Sequence, residues 1–134
     1  MTVRVMVIDD SMLVRRQVSA ALKAPGYLVT EAVDGVDALE KLADLVDMKL
    51  IVCDVNMPRM NGLELLERLS AQGSSVPVVM LTTEGQPELI QRARSLGAKG
   101  WIVKPFKPAF LVATANKLAP LEGLREKTTA GRVQ

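Results

Sequence analysis

Residues 3–22 read VRVMVIDDSMLVRRQVSAAL, and the change of period within this stretch decides the fold. Val3 to Ile8 make an apolar run of strand length, Asp9 and Asp10 follow, and Leu13, Val14, Val18, Ala21 and Leu22 then recur at helical spacing. Ser11 sits between the acids and the helical run, where its hydroxyl can cap the helix. The alternation continues outward. Apolar runs at Tyr27 to Val33, Leu50 to Cys53, Val76 to Leu81 and Trp101 to Val103 read as four more strands. Helical periods separate them, such as Ala38, Leu39, Leu42, Leu45 and Val46, or Leu65, Leu66 and Leu69 on a third helix. Gly97 is placed to close the fourth helix, Pro108 suits a first helical turn, and Pro120 ends the fifth helix.

Five β-α pairs demand a parallel sheet covered on both faces, because parallel neighbours need crossover helices and right-handed crossovers dominate. The nearly all-apolar strands at Leu50 and Val76 suit the centre. Thr30 and Glu31 give the second strand a half-exposed, edge-like pattern. The fold class is α/β, a doubly wound sheet of (βα)5 type in three α/β/α layers.

Composition narrows the chemistry. With 134 residues and 14.5 kDa, one domain can bury roughly 68–70% of its unfolded surface. Histidine is absent and Cys53 is the single cysteine, which excludes disulfides, Cys/His zinc sites, Ser-His-Asp triads and Cys-His dyads. Seventeen Lys and Arg against fifteen Asp and Glu leave a net charge of +2, too weak a field to indicate nucleic-acid binding. No apolar stretch approaches the roughly 18 residues of a membrane span, and the N-terminus lacks the pattern of a secretory leader. Neither nucleic acid nor membrane insertion is expected, and the setting expected is cytoplasmic.

In an open parallel sheet, functional residues gather just beyond the carboxyl ends of the strands. There the sequence places Asp9 and Asp10, Asp54, Thr82 and Thr83, and Lys104 followed by Pro105. Taken singly, each is an ordinary strand-end polar group, but convergence from four strands argues for a site. Two like charges 4 Å apart cost about 4 kcal/mol at an effective dielectric of 20, so clustered carboxylates need a cation. All-oxygen ligation with few protein groups suits Mg²⁺. Lys104 adds a fixed positive charge and a threonine adds a neutral donor, a set fit to hold a phosphoryl group on an aspartate.

The motifs VIDDS at 7–11, DVNMPRMNG at 54–62, LTTE at 81–84 and KPF at 104–106 resemble those of the receiver domains of two-component response regulators. Asp10 and Asp54 are 44 positions apart and Asp54 and Lys104 are 50 apart; order and spacing together carry the resemblance. It implies a flavodoxin-like fold with strand order 2-1-3-4-5. It implies Asp54 as phosphoacceptor, with Lys104 and Thr82 binding phosphoryl oxygens. Mg²⁺ would be held by Asp9, Asp10, Asp54 and the backbone carbonyl of Asn56. Thr82 and Trp101 would form the switch, Trp101 standing where the family usually has Tyr or Phe. Asn56 and Glu84 would set the lifetime of the aspartyl phosphate. Thr83, bulkier than the usual residue there, would narrow access to Asp54.

The function implied is that of a single-domain response regulator, a signalling phosphoacceptor that promotes only its own phosphorylation and dephosphorylation. The partners implied are a histidine kinase as donor, a downstream protein on the face of the fourth helix, fifth strand and fifth helix, and a phosphatase. The Asn56/Glu84 pairing resembles the chemotaxis branch, with a phosphorelay carrier or a non-motility regulator as the alternative. A haloacid-dehalogenase-type phosphatase would want Asp where Asn56 stands, and Asp9 and Asp10 would repel the phosphate of a flavin. A phosphate-independent adaptor would gain nothing from repelling acids. The receiver is expected to span residues 1–120, with 121–134, LEGLREKTTAGRVQ, a flexible polar tail too short for an output domain.

Overall fold

A computed structural model describes residues 2–121. Five strands, β1 (Arg4–Ile8), β2 (Leu28–Ala32), β3 (Met48–Cys53), β4 (Val78–Thr82) and β5 (Gly100–Val103), alternate with five helices. The helices are α1 (Met12–Lys23), α2 (Gly35–Asp44), α3 (Gly62–Ala71), α4 (Pro87–Ser95) and α5 (Pro108–Leu118). The strands are parallel in the order β2-β1-β3-β4-β5, as expected.

The strand period of two sorts side chains into two cores. Val5, Val7, Leu50, Val52, Val79 and Leu81 face α1 and α5, where Val18, Leu22, Leu111 and Ala115 meet them. Their neighbours Met6, Ile8, Ile51, Cys53, Val78 and Met80 face α2, α3 and α4 through Ala38, Leu65, Leu66, Leu69 and Ala93. Consequently β1, β3 and β4 are buried on both sides, and β2 keeps an intermediate exposure at the edge.

Helix starts follow the sequence closely. Ser11 Oγ accepts from Val14 N–H at 3.3 Å, and Asn61 with Glu64 forms a reciprocal capping box. Pro108 opens α5, and Gly97, at φ +103°, closes α4 in a conformation that glycine adopts without strain. Two expectations need correction. Leu13 lies in α1 as its spacing predicts, with a side chain 67% exposed, whereas Val46 is 79% exposed and lies outside the helix, because α2 stops at Asp44, two residues before it. Leu121, placed in the tail from sequence, is buried with the α1/α5 core, its N–H donating to Asn116 Oδ1 at 3.1 Å. The expectation for the following stretch, 122–134, lies outside the described residues.

Candidate functional site

The strand ends carry five of the expected residues on one rim. Asp9 and Asp10 follow β1, Asp54 follows β3, Thr82 ends β4 and Lys104 follows β5. Carboxylate oxygens of Asp9, Asp10 and Asp54 all lie within 4.8 Å of one another. Asp9 and Asp54 are 3% and 7% exposed, whereas Asp10 faces solvent. Lys104 Nζ donates to Asp9 Oδ2 at 2.8 Å and lies 3.4 Å from Asp54 Oδ2. The ammonium therefore supplies part of the cation that the carboxylates require, and the exposed side of the cluster is left to Asp10.

Each buried acid has one oxygen committed to the backbone. Asp9 Oδ1 accepts from Ser11 N–H at 2.9 Å, and Asp54 Oδ1 accepts from Val55 N–H at 2.7 Å. Asp54 Oδ2, facing Lys104, is the oxygen with capacity for further chemistry. The backbone around it is equally constrained: Asp54 N–H donates to the Ile8 carbonyl at 3.0 Å and Lys104 N–H to the Thr82 carbonyl at 2.8 Å.

Glu84 joins three of the other expected residues. Its side chain accepts from Asn56 Nδ2 at 2.9 Å, its N–H donates to Thr82 Oγ1 at 3.3 Å, and its carbonyl accepts from Trp101 Nε1 at 2.9 Å. The Thr82 side chain is fully buried and Trp101 half-buried. Thr83 is exposed and, with Lys104, Phe106, Pro108, Val14 and Gln17, lines a groove of about 760 Å³ between α1 and the start of α5.

Sequence reasoning missed four supports. Arg15 Nη1 donates to the Asp9 carbonyl at 2.7 Å while its Nε pairs with Glu31 at 3.3 Å. Buried Asp34 caps α2 and takes two bonds from Arg59, whose guanidinium holds the Asp34 carboxyl below the usual aspartate range. Gly62 lies against the Asp54 carbonyl so closely that a Cβ would collide with it. The Cys53 thiol donates to that same carbonyl at 3.1 Å, and burial, reinforced by the Asp54 and Asp9 charges, pushes its pKa up, so it stays a neutral packing group. The glycine and the buried acid had a sequence signal in Asn61-Gly62 and Asp34-Gly35. Arg15 and Arg59 had none, because an arginine's place in the sequence carries no mark of its partner across the chain.

Three carboxylates at this spacing, two buried and one open to solvent, form a hard oxygen site suited to a divalent cation such as Mg²⁺. A doubly wound sheet with acids, a hydroxyl and an ammonium at its strand ends defines a class of α/β protein suited to hold a divalent cation and a phosphoryl group there.

Comparison with known proteins is consistent with this class. The chain matches the response regulator receiver domain over residues 5–116. It is 40% identical over 111 residues to chemotaxis protein CheY1 of Helicobacter pylori, covering 81% of this chain and 90% of that one. Chemotaxis protein CheY4 of Vibrio cholerae, crystallised at low pH, superposes with a TM-score of 0.82 at 39% identity, over 88% of this chain and 99% of that one. CheY in the CheX-CheY-BeF3-Mg complex of Borrelia burgdorferi superposes with a TM-score of 0.82 at 25% identity, over 86% and 87% of the two chains. The chain belongs to the response regulator receiver family, and it is a two-component signalling protein. Receiver domains bind Mg²⁺ at an acidic pocket, and the Asp9, Asp10 and Asp54 cluster is that pocket's counterpart here. Among the described residues no helix is long and apolar enough to cross a membrane.

Proposed function

We propose that Asp54 is the phosphoacceptor of a chemotaxis-type response regulator, fed by a histidine kinase. The observation that carries this reading is the division of labour on the Asp54 carboxylate. Oδ1 is held by Val55 N–H, while Oδ2 stands 3.4 Å from the Lys104 ammonium inside the acidic cluster. Oδ2 attacks the phosphorus of the donor phosphohistidine. A P–O bond forms as the P–N bond breaks, and the imidazole leaves with the bond pair and takes up a proton from solvent. Lys104 neutralises one phosphoryl oxygen and Thr82, after turning from Glu84, donates to another, so positioning and electrostatics supply the rate. Asp9, Asp10, Asp54 and the Asn56 carbonyl would hold Mg²⁺, which when bound neutralises charge on the transferring group.

Asn56 and Glu84, joined by a 2.9 Å hydrogen bond, border the path by which water would reach the phosphoaspartate, and so set its lifetime. The protein on this reading promotes only its own phosphorylation and dephosphorylation. Its donor is a CheA-like kinase, and its target docks on α4, β5 and α5, where Gln91, Arg92 and Arg94 are exposed. A phosphatase is a third proposed partner. The chemotaxis assignment is supported by the relatives' names and the Asn56/Glu84 pair, and a cytoplasmic setting accompanies it.

Incubation with acetyl phosphate and Mg²⁺ followed by intact mass measurement tests the assignment. One phosphoryl adduct is expected on the wild type and none on Asp54→Asn or with a chelator present. An adduct of equal yield on Asp54→Asn would contradict it.

A further inference from the structure

The loop between β3 and α3 carries Asn56 and is pinned at both ends. Val55 N–H donates to Asp54 Oδ1, Gly62 N–H donates to the Val55 carbonyl at 2.8 Å, and Asn61 caps α3. Its middle is seated on the start of α2. Arg59 Nε and Nη2 donate to Asp34 Oδ2 and Oδ1 at 2.8 and 3.1 Å, and Gly35 N–H donates to the Met60 carbonyl at 3.1 Å. Asp34 is 3% exposed and also caps α2 by accepting from Asp37 N–H at 2.9 Å, so it is a fixed anchor. A Cβ on Gly35 would stand 2.7 Å from Met60 Cγ, so glycine is what lets the loop lie against the helix. Arg59 holds φ +65°, a backbone conformation that long side chains adopt only when their surroundings impose it. An ion pair with an exposed partner adds little stability, less than left-handed backbone at an arginine costs. The arrangement is better explained by what it holds in place.

We infer that Asp34 and Arg59 are positioning residues for the divalent-ion site: they clamp the loop to α2 and thereby set where the Asn56 backbone carbonyl stands relative to the three carboxylates. This rests on the reading above, in which that carbonyl belongs to the magnesium shell.

The test is calorimetric titration of MgCl2 alone into the wild type, Arg59→Asn, Arg59→Gly and Arg59→Lys. Asparagine and glycine accept left-handed backbone while removing the guanidinium, so neither variant is exposed to misfolding through strain. Lysine keeps the charge but not the two-pronged geometry. The dissociation constant is expected to rise about tenfold in the Asn and Gly variants, as for outer partners of metal ligands. An intermediate rise is expected for Lys, with amide spectra that remain those of the folded protein. Unchanged affinity in the Asn and Gly variants beside normal wild-type uptake overturns the inference and leaves the clamp a structural feature. Absence of uptake by the wild type overturns the reading of the site itself, and the inference with it.

Discussion

The carboxyl ends of β1 and β3 and the face made by α4 and β5 are built to opposite specifications. At the first, Asp9 and Asp54 are buried, each has one oxygen bound by a backbone N–H, and Lys104 bridges the other two. At the second, α4 has a single buried residue, Ala93, and no side-chain cap, and β5 has one buried residue, Ile102. Trp101 is tied there by one hydrogen bond to the Glu84 carbonyl. The first region cannot absorb a new dianion by relaxing, because its charged groups are already fixed. The second can move at small cost, since few buried contacts hold it. Glu84 is where they meet, bonded to Thr82 on one side and to Trp101 on the other. If the Thr82 side chain turns to donate its hydroxyl to a phosphoryl oxygen, its Oγ1 is drawn away from the Glu84 N–H, and the backbone that carries the Trp101 tether loses that support.

The sharpest way to break this contrast is to disturb the stiff region through its backbone. Gly62→Ala would gain less than the roughly 1 kcal/mol of helix propensity that an interior position gives, because Gly62 is the first residue of α3. It would also drive a Cβ into the carbonyl of Asp54, a residue fixed by its N–H bond to the Ile8 carbonyl. Overpacking of this kind costs about 1–3 kcal/mol. A net loss of stability in chemical denaturation is expected, together with weakened phosphoryl acceptance. A variant as stable as the wild type would mean that the region yields more easily than its contacts imply.

An effect of similar size is expected from charge alone. Lys104→Ala removes the ammonium between Asp9 and Asp54 and leaves buried carboxylates uncompensated, at about 1–3 kcal/mol. Added Mg²⁺ should then raise the melting temperature of the variant more than that of the wild type, because the ion would no longer share the acids with a fixed cation. Equal increments in scanning calorimetry would show that Lys104 and the ion do not compete for the same charge.

Much of this was legible in the sequence, and unevenly so. The fold was readable because period-two strands and period-3.6 helices alternate without interruption, and the strand ends then named Asp9, Asp10, Asp54, Thr82 and Lys104 at once. What could not be read was pairing across the chain. Arg15 beneath Asp9 and Arg59 on Asp34 depend on which loops the fold brings together. Local periodicity also misled at the end of a helix, as Val46 shows, because apolar spacing does not say where the helix stops.

The smallest predicted effect, and the one that tests the account most directly, is at Trp101. It is the only tryptophan, so its indole N–H gives a single resolved signal in an amide correlation spectrum. Addition of Mg²⁺ and beryllofluoride, a phosphoryl mimic, is expected to move that signal and the α4 and β5 amides in the wild type but not in Asp54→Asn. Saturation of the acidic site with the Trp101 signal and those amides unmoved would contradict the claim that the stiff region drives the soft one.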